Sequence, residues 1–274
     1  MPEPYVPELG IEYPEKPDGH MVPVKIVHEI YLDENYPFYD RSFSFIFMRN
    51  LMHLGIYTLV FALSHLRFGI KIEGRDVLRR HKKLLKNGAM TVSNHVHRWD
   101  FLFVLQALRY RKMYFPAWKE QFCGKDKDFI RLAGGIPVPE SISLMKCFNS
   151  AFDKIHENKI WIHAFPESSR FDYFQPIRPF KKGVFTLAQR YNLPVIPLAI
   201  SYRKPVFPFT IVNFLRSVTG KQKLPMITIR IGEPIMFDQN LTRKEAVIKL
   251  RRETHEAVAR LAGISVNKYP AEGD

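Results

Sequence analysis

Ala89-Met90-Thr91-Val92-Ser93-Asn94-His95-Val96-His97-Arg98-Trp99-Asp100-Phe101-Leu102-Phe103-Val104-Leu105 decides the reading of this chain. Its first four residues form a short apolar run expected as a buried strand, and its last five are expected to begin an apolar helix. Between them, a histidine and an aspartate five positions apart meet across the turn. In a regular helix they would point roughly 140° apart. Asp100 suits a helix N-cap, and it equally suits an orienter that holds His95 in one tautomer while the imidazole takes a proton.

Working outward, strand-like and helix-like stretches alternate. Ile70–Gly74 is expected as a short strand and Arg75–Lys86 as a strongly basic helix ended by Asn87-Gly88. Tyr114–Trp118 reads as a strand, and Gly134-Gly135-Ile136-Pro137-Val138-Pro139 as a turn that lets backbone approach a ligand closely. Residues 141–158 form an amphipathic helix, followed by a strand over Ile160–Phe165 and the loop Pro166-Glu167-Ser168-Ser169-Arg170. A helix over Gly183–Tyr191, strands over Leu193–Ile200 and Met226–Ile231, and a charged helix over Arg243–Leu261 complete the pattern. Such alternation predicts an α/β fold: one domain with a mostly parallel central sheet flanked by helices. The expected divisions are an extended Pro-rich acidic arm at 1–40, an apolar segment at 41–69, the main domain at 70–265 and a tail at 266–274. Within the arm, Val22–Ile30 reads as a strand.

Charge and composition narrow the partners. The net charge is +14, yet residues 1–40 hold nine acidic residues against two lysines, so the basic character belongs to the body. An anionic membrane surface, a phosphorylated substrate or nucleic acid would answer such a charge. Two cysteines outside any CxxC pair exclude a disulfide scaffold and fit a reducing compartment. The acidic start lacks the pattern of a secretory signal. Asn50–Leu66 is uncharged but only 17 residues long, reaching about 25 Å against a hydrocarbon core of about 30 Å. It suits a core helix or one lying in a single leaflet, and 205–218 adds a second, aromatic-rich apolar patch.

In order and spacing these stretches resemble the glycerophospholipid acyltransferase superfamily, which includes bacterial 1-acyl-glycerol-3-phosphate acyltransferases. Asn94, His95 and Asp100 match its first block, Phe165-Pro166-Glu167-Ser168-Ser169-Arg170 its third, and Val195-Ile196-Pro197-Leu198 its fourth. Pro179-Phe180-Lys181-Lys182-Gly183 is similar to the basic stretch after the third block. The resemblance implies His95 and Asp100 as catalytic residues, with Asn94, Gly134, Gly135, Glu167, Ser168, Ser169, Arg170 and Lys181 binding substrate. It implies transfer of an acyl group from acyl-CoA or acyl carrier protein to a lysophospholipid such as lysophosphatidic acid, on the cytoplasmic face of a membrane, with no cofactor beyond the thioester co-substrate.

Two departures stand out. Ser168 occupies the usual glycine position, and Glu140 the place of a second-block arginine, so Lys119, Arg131, Arg178 or Lys181 becomes the replacement cation for an acceptor phosphate. A different, non-phosphorylated acceptor is the alternative within the class, and a basic nucleic-acid-binding protein the alternative outside it. His95-x-His97 with Asp100 departs by one residue from metallohydrolase spacing, so no metal is expected and His97 is assigned a local hydrogen-bonding role. Without a Ser or Cys nucleophile in the first block, the acceptor is expected to attack directly. The oxyanion is then expected to find backbone N–H donors near His95 or in the Gly134-Gly135 turn.

Overall fold

Short apolar runs without alternation belong in a sheet covered on both faces, and the computed structural model places them there. It describes residues 5–7, 9–21, 23–109 and 111–271. Among these, the strands β1 (Lys71–Glu73), β2 (Met90–Ser93), β3 (Met113–Trp118), β4 (Gly135–Val138), β5 (Trp161–Ala164), β6 (Val195–Arg203) and β7 (Met226–Ile231) form one sheet in the order β1-β7-β6-β2-β5-β3-β4. β6, β2, β5, β3 and β4 run parallel, β7 lies antiparallel to β6, and β1 lies parallel to β7. The predicted class holds: a mostly parallel α/β sheet flanked by helices.

The helices in chain order are α1 (Phe43–Phe68), α2 (Arg75–Arg80), α3 (Asp100–Ala107), α4 (Lys127–Ala133), α5 (Met145–Glu157), α6 (Gly183–Arg190), α7 (Phe209–Val218) and α8 (Arg243–Ala262). α1 and α3 cover one face of the sheet through Phe61, Phe68, Phe103 and Leu105, packed with Ile196, Leu198 and Ile200. α5, α6 and α8 cover the other through Phe148, Phe152, Phe185, Leu250 and Val258, packed with Met90, Val92 and Val195. α8 starts with a capping box, Thr242 and Glu245 each satisfying a backbone N–H of the other.

Three sequence expectations change. The basic helix stops at Arg80, and Leu84–Asn87 form a separate 3-10 turn. Arg80 is held by Asp76 and Glu233 at 3.2 and 2.7 Å, which breaks the continuous cationic run a polyanion would need. The expected strand at 22–30, whose first residue lies outside the described residues, is irregular: Val27 and His28 both donate to the Cys123 carbonyl, a pairing too short to make a ladder.

The third change is α1. The helix does not stop at Arg49 or Arg67 but runs 26 residues, about 39 Å at the α-helical rise, with a π-type turn at Ile56–Val60. Arg49 does not interrupt it because its side chain turns inward, 7% exposed, and donates to the Met113 carbonyl at 2.9 Å. His53 and Ser64 are buried on the same face, whereas Phe43, Phe47, Leu51, Leu54, Leu63 and Leu66 face outward. The inner face mixes these polar groups with buried Ile56, Phe61 and Phe68, and an apolar outer face departs from the usual soluble pattern of polar residues outward. α7 adds exposed Ile211, Phe214, Leu215 and Val218, and its Phe209 packs beside Gly69 at the end of α1, so the two apolar surfaces adjoin.

Candidate active site

β2 ends at Ser93, and Asn94 anchors the turn beyond it. Its side-chain amide donates to the Ile200 carbonyl at 2.9 Å and its oxygen accepts the Ile200 N–H at 2.8 Å. The residue is 1% exposed and is therefore a strut between β2 and β6, not the substrate contact expected from sequence.

The next residues wrap tightly around one carboxylate oxygen. Asp100 Oδ2 accepts the Val96 N–H at 2.6 Å and the His97 N–H at 2.8 Å, and it lies 2.9 Å from His95 Nδ1. Asp100 is the first residue of α3 and Trp99 is its cap, so the carboxylate reaches back to the preceding turn. The Asp100 carboxyl is fully buried, while 16% of the His95 side chain is exposed and its Nε2 has no partner among the described residues. The Phe165 ring stacks on the imidazole at 4.2 Å, fixing its plane. Thus the aspartate sets the ring's orientation and the outer nitrogen stays open.

Burial dominates the electrostatics. It pushes His95 down to about 3, assisted by the nearby Arg170 charge, so the imidazole is neutral at pH 7. Burial raises the Asp100 carboxyl, opposed by the N–H bonds from His97 and Val96. His97 is also lowered to about 3 by burial and then by Arg170. As expected, it makes a local bond, accepting the Trp99 N–H at Nδ1 over 3.0 Å.

The loop after β5 meets this turn from the side. Glu167, 1% exposed, accepts the His95 N–H at 2.8 Å and pairs with Arg178 at 2.9 Å. Arg178, equally buried, also donates to Ser169 Oγ at 2.8 Å and to the Pro17 carbonyl at 3.1 Å, and it stacks over Phe171. Glu167, Ser169 and Arg178 are therefore framework that binds the two loops and the N-terminal arm together. Arg178, named above as a replacement cation, has its guanidinium engaged by Glu167, Ser169 and the Pro17 carbonyl, and so is not free for an acceptor phosphate. Arg178 was legible only as a basic residue near the third block; its pairing needs the fold.

Other expectations are corrected here too. The tight packing at Gly134 is against the protein's own backbone: Gly134 ends α4 with φ 112°, its carbonyl accepts the Phe115 N–H, and an added Cβ would sit 2.1 Å from the Met113 carbonyl. The close approach of Gly134 is to β3, whereas Gly135 opens β4 tight against Ile130 and Phe122. Nor do the N–H groups of 95–97 serve an oxyanion, because Glu167 and Asp100 consume all three. Among the replacement cations, Arg131 is held by Asp40 at 3.0 Å and Lys181 by Asp18 at 3.0 Å.

Arg170 remains. Its Nε lies 2.9 Å from Asp172 Oδ1, close enough for an ion pair but not aligned as a hydrogen bond, and the side chain is 21% exposed. Ser168 sits at φ 64°, the left-handed region where glycine costs nothing, and its N–H still closes the turn onto the Phe165 carbonyl. Over this loop lies the arm, with Tyr13 donating to the Asp172 carbonyl at 3.0 Å and the His20 ring against Trp118 at 3.9 Å.

Residues 69–201 match the family model described as Acyltransferase. An uncharacterized acyltransferase of Schizosaccharomyces pombe is 26% identical over 149 residues, covering 51% of this chain and 49% of the relative, so the match spans about half of each. The crystal structure of the 1-acyl-sn-glycerophosphate acyltransferase PlsC from Thermotoga maritima overlays with a TM-score of 0.48 and 17% identity, covering 80% of this chain and 84% of that one.

Proposed function

We propose that this chain, whose residues 69–201 match the Acyltransferase family model, moves a fatty acyl group from a thioester, acyl-CoA or acyl carrier protein, to the hydroxyl of a lysophospholipid. The observation carrying this reading is His95 Nδ1 at 2.9 Å from the buried Asp100 carboxylate, with the opposite ring nitrogen open. In the reaction His95 Nε2 takes the acceptor's hydroxyl proton as the oxygen attacks the thioester carbonyl. The tetrahedral intermediate then collapses, the C–S bond breaks, and the departing thiolate takes the proton from His95. Such base catalysis contributes typically 10²- to 10⁴-fold, and Asp100 holds the tautomer that leaves Nε2 free.

Arg170 is the residue assigned to the acceptor's phosphate. It is partly exposed beside the His95 turn, and a phosphate dianion that displaces Asp172 would gain charge-assisted, two-pronged bonds. The outward apolar face of α1, adjoining α7, supports peripheral or monotopic binding to a membrane, and the cytoplasmic face is the side assigned in this reading.

The test is acyl transfer by the full chain with both donor types, against lysophosphatidic acid, its dephosphorylated counterpart, other lysophospholipids and glycerol 3-phosphate. Preferential use of phosphorylated lysolipid is expected. Equal use of the dephosphorylated lysolipid would favour an acceptor chosen without its phosphate, a reading to which the Arg170–Asp172 ion pair lends weight. Transfer to none of them would refute the assignment.

A further inference from the structure

At the opposite end of the parallel strands from His95, a cluster of cations gathers without an anion. Met113 and Trp161 open β3 and β5 side by side. Around them Arg49 of α1, Arg111, Lys112 and Lys159 line an open cavity of about 430 Å³. None of the four pairs with a carboxylate among the described residues, in contrast to Arg131, Arg178, Arg190 and Arg230.

Three of the four are held rather than free. Arg49 donates to the Met113 carbonyl, stacks over Tyr114 at 4.0 Å, and leaves its Nε buried without a partner. Arg111 lies over the Trp161 ring at 4.4 Å. Lys112 donates to the Asn50 side chain. Burial lowers the affinity of Arg111 and Lys112 for their protons, and for Lys112 the Arg49 charge adds to it. Like charges crowded in a half-buried pocket repel one another, and a bound anion would relieve that repulsion. Two guanidinium groups with fixed planes suit an oxyanion that accepts paired hydrogen bonds, and the ammonium groups add unoriented charge.

We infer that this cavity binds a phosphate group. The shared chemistry is a phosphate mono- or diester, supplied by an anionic lipid headgroup or by a soluble phosphate compound. The lipid source is favoured by position, because Arg49 belongs to the helix whose outer face is apolar, and basic groups beside an inserted helix meet headgroups. The site stands apart from the catalytic reading, since none of its residues touches the His95 turn.

The experiment compares the full-length wild type with R111A/K159A, which removes two exposed cations of the cavity. K82A/K83A, which removes two exposed lysines elsewhere, serves as a control of equal charge. One arm measures sedimentation with phosphatidylcholine vesicles with and without phosphatidic acid. The other measures melting temperature in inorganic phosphate against chloride at matched ionic strength. R111A/K159A should weaken binding to phosphatidic acid vesicles by about tenfold or more, against about twofold or less for the control. Phosphate should raise the melting temperature of the wild type and the control but not of R111A/K159A. A selective effect in the vesicle arm alone identifies the headgroup as ligand, and one in the phosphate arm alone a soluble phosphate. Equal losses for the two double variants, with no selective response to phosphate, would overturn the site. Acyl transfer to a water-soluble acceptor persists in R111A/K159A on this account, so failure here and failure of the His95 mechanism are separately visible.

Discussion

The two ends of the parallel strands handle charge in opposite ways. At the His95 end, Glu167 is answered by Arg178 and two N–H groups, and Asp100 Oδ2 by two N–H groups and the imidazole, while Asp100 Oδ1 is buried without a partner among the described residues. At the other end, Arg49, Arg111, Lys112 and Lys159 face a cavity with no carboxylate. A compensated charge in a dry interior acts as a fixture, because moving it would leave its partner unpaired. An uncompensated cluster open to solvent waits for a ligand. Within the first end the same distinction separates Arg178, a fixture, from Arg170, whose poorly aligned contact with Asp172 leaves it available.

The sharpest way to break the comparison is to uncouple the fixture. Arg178→Met or Glu167→Gln leaves an unmatched buried polar or charged group, and removing one partner of a buried pair costs about 3–5 kcal/mol. The double replacement Glu167→Met with Arg178→Met should cost less than the worse single change. Urea denaturation measures all of these. If either single variant lost under about 1 kcal/mol, the pair would be no more than a surface contact.

Arg170→Lys should, by contrast, leave stability nearly unchanged and raise the acceptor KM about tenfold, with Arg170→Ala raising it further, as losing charge-assisted bonds would. The donor KM should move little. An equal rise for phosphorylated and dephosphorylated acceptors would assign Arg170 to the framework instead.

Buried histidines sharpen the contrast through pH. His95, His97 and His163 are each lowered by burial from 6.5 to about 3. Between those values the unfolded chain binds more protons than the folded one, so stability falls as pH drops through 6.5 toward 3. Asp100, raised by burial, acts with the opposite sign, one group against three. The urea midpoint should therefore be lower at pH 5.5 than at pH 7.5, two conditions bracketing the ordinary histidine range. An unchanged midpoint would show that these rings are solvated.

The smallest expected effect is a gain. Ser168→Gly relieves a left-handed residue whose own side chain makes no hydrogen bond among the described residues while its N–H bonds the Phe165 carbonyl, and should stabilise by about 1 kcal/mol. A fall in melting temperature would mean that the serine side chain contributes something its position does not explain.

Much of the fold was legible because buried parallel strands read as unbroken apolar runs, and Met90–Val92, Trp161–Ala164 and Val195–Ile200 all announced themselves so. The meeting of His95 with Asp100 was legible too, since a strand end and a helix start define the turn between them. What failed were readings that depend on partners distant in sequence. Asn94 finds Ile200 and Arg178 finds Pro17, pairings that no local pattern encodes. Gly134-Gly135 looked like a ligand turn because close backbone approach has the same sequence signature whether the neighbour is a substrate or β3. Arg49 looked like the end of an apolar segment because a charge at that position gives no hint of facing inward.

The measurement that tests the central claim most directly is acyl-transfer turnover by His95→Ala beside its melting curve. The claim is that an open nitrogen of a neutral, Asp100-oriented imidazole takes the acceptor's proton. Turnover should fall by about 10²- to 10⁴-fold while the melting transition stays cooperative and within a few degrees of wild type. Near-normal turnover in a folded His95→Ala protein would contradict it.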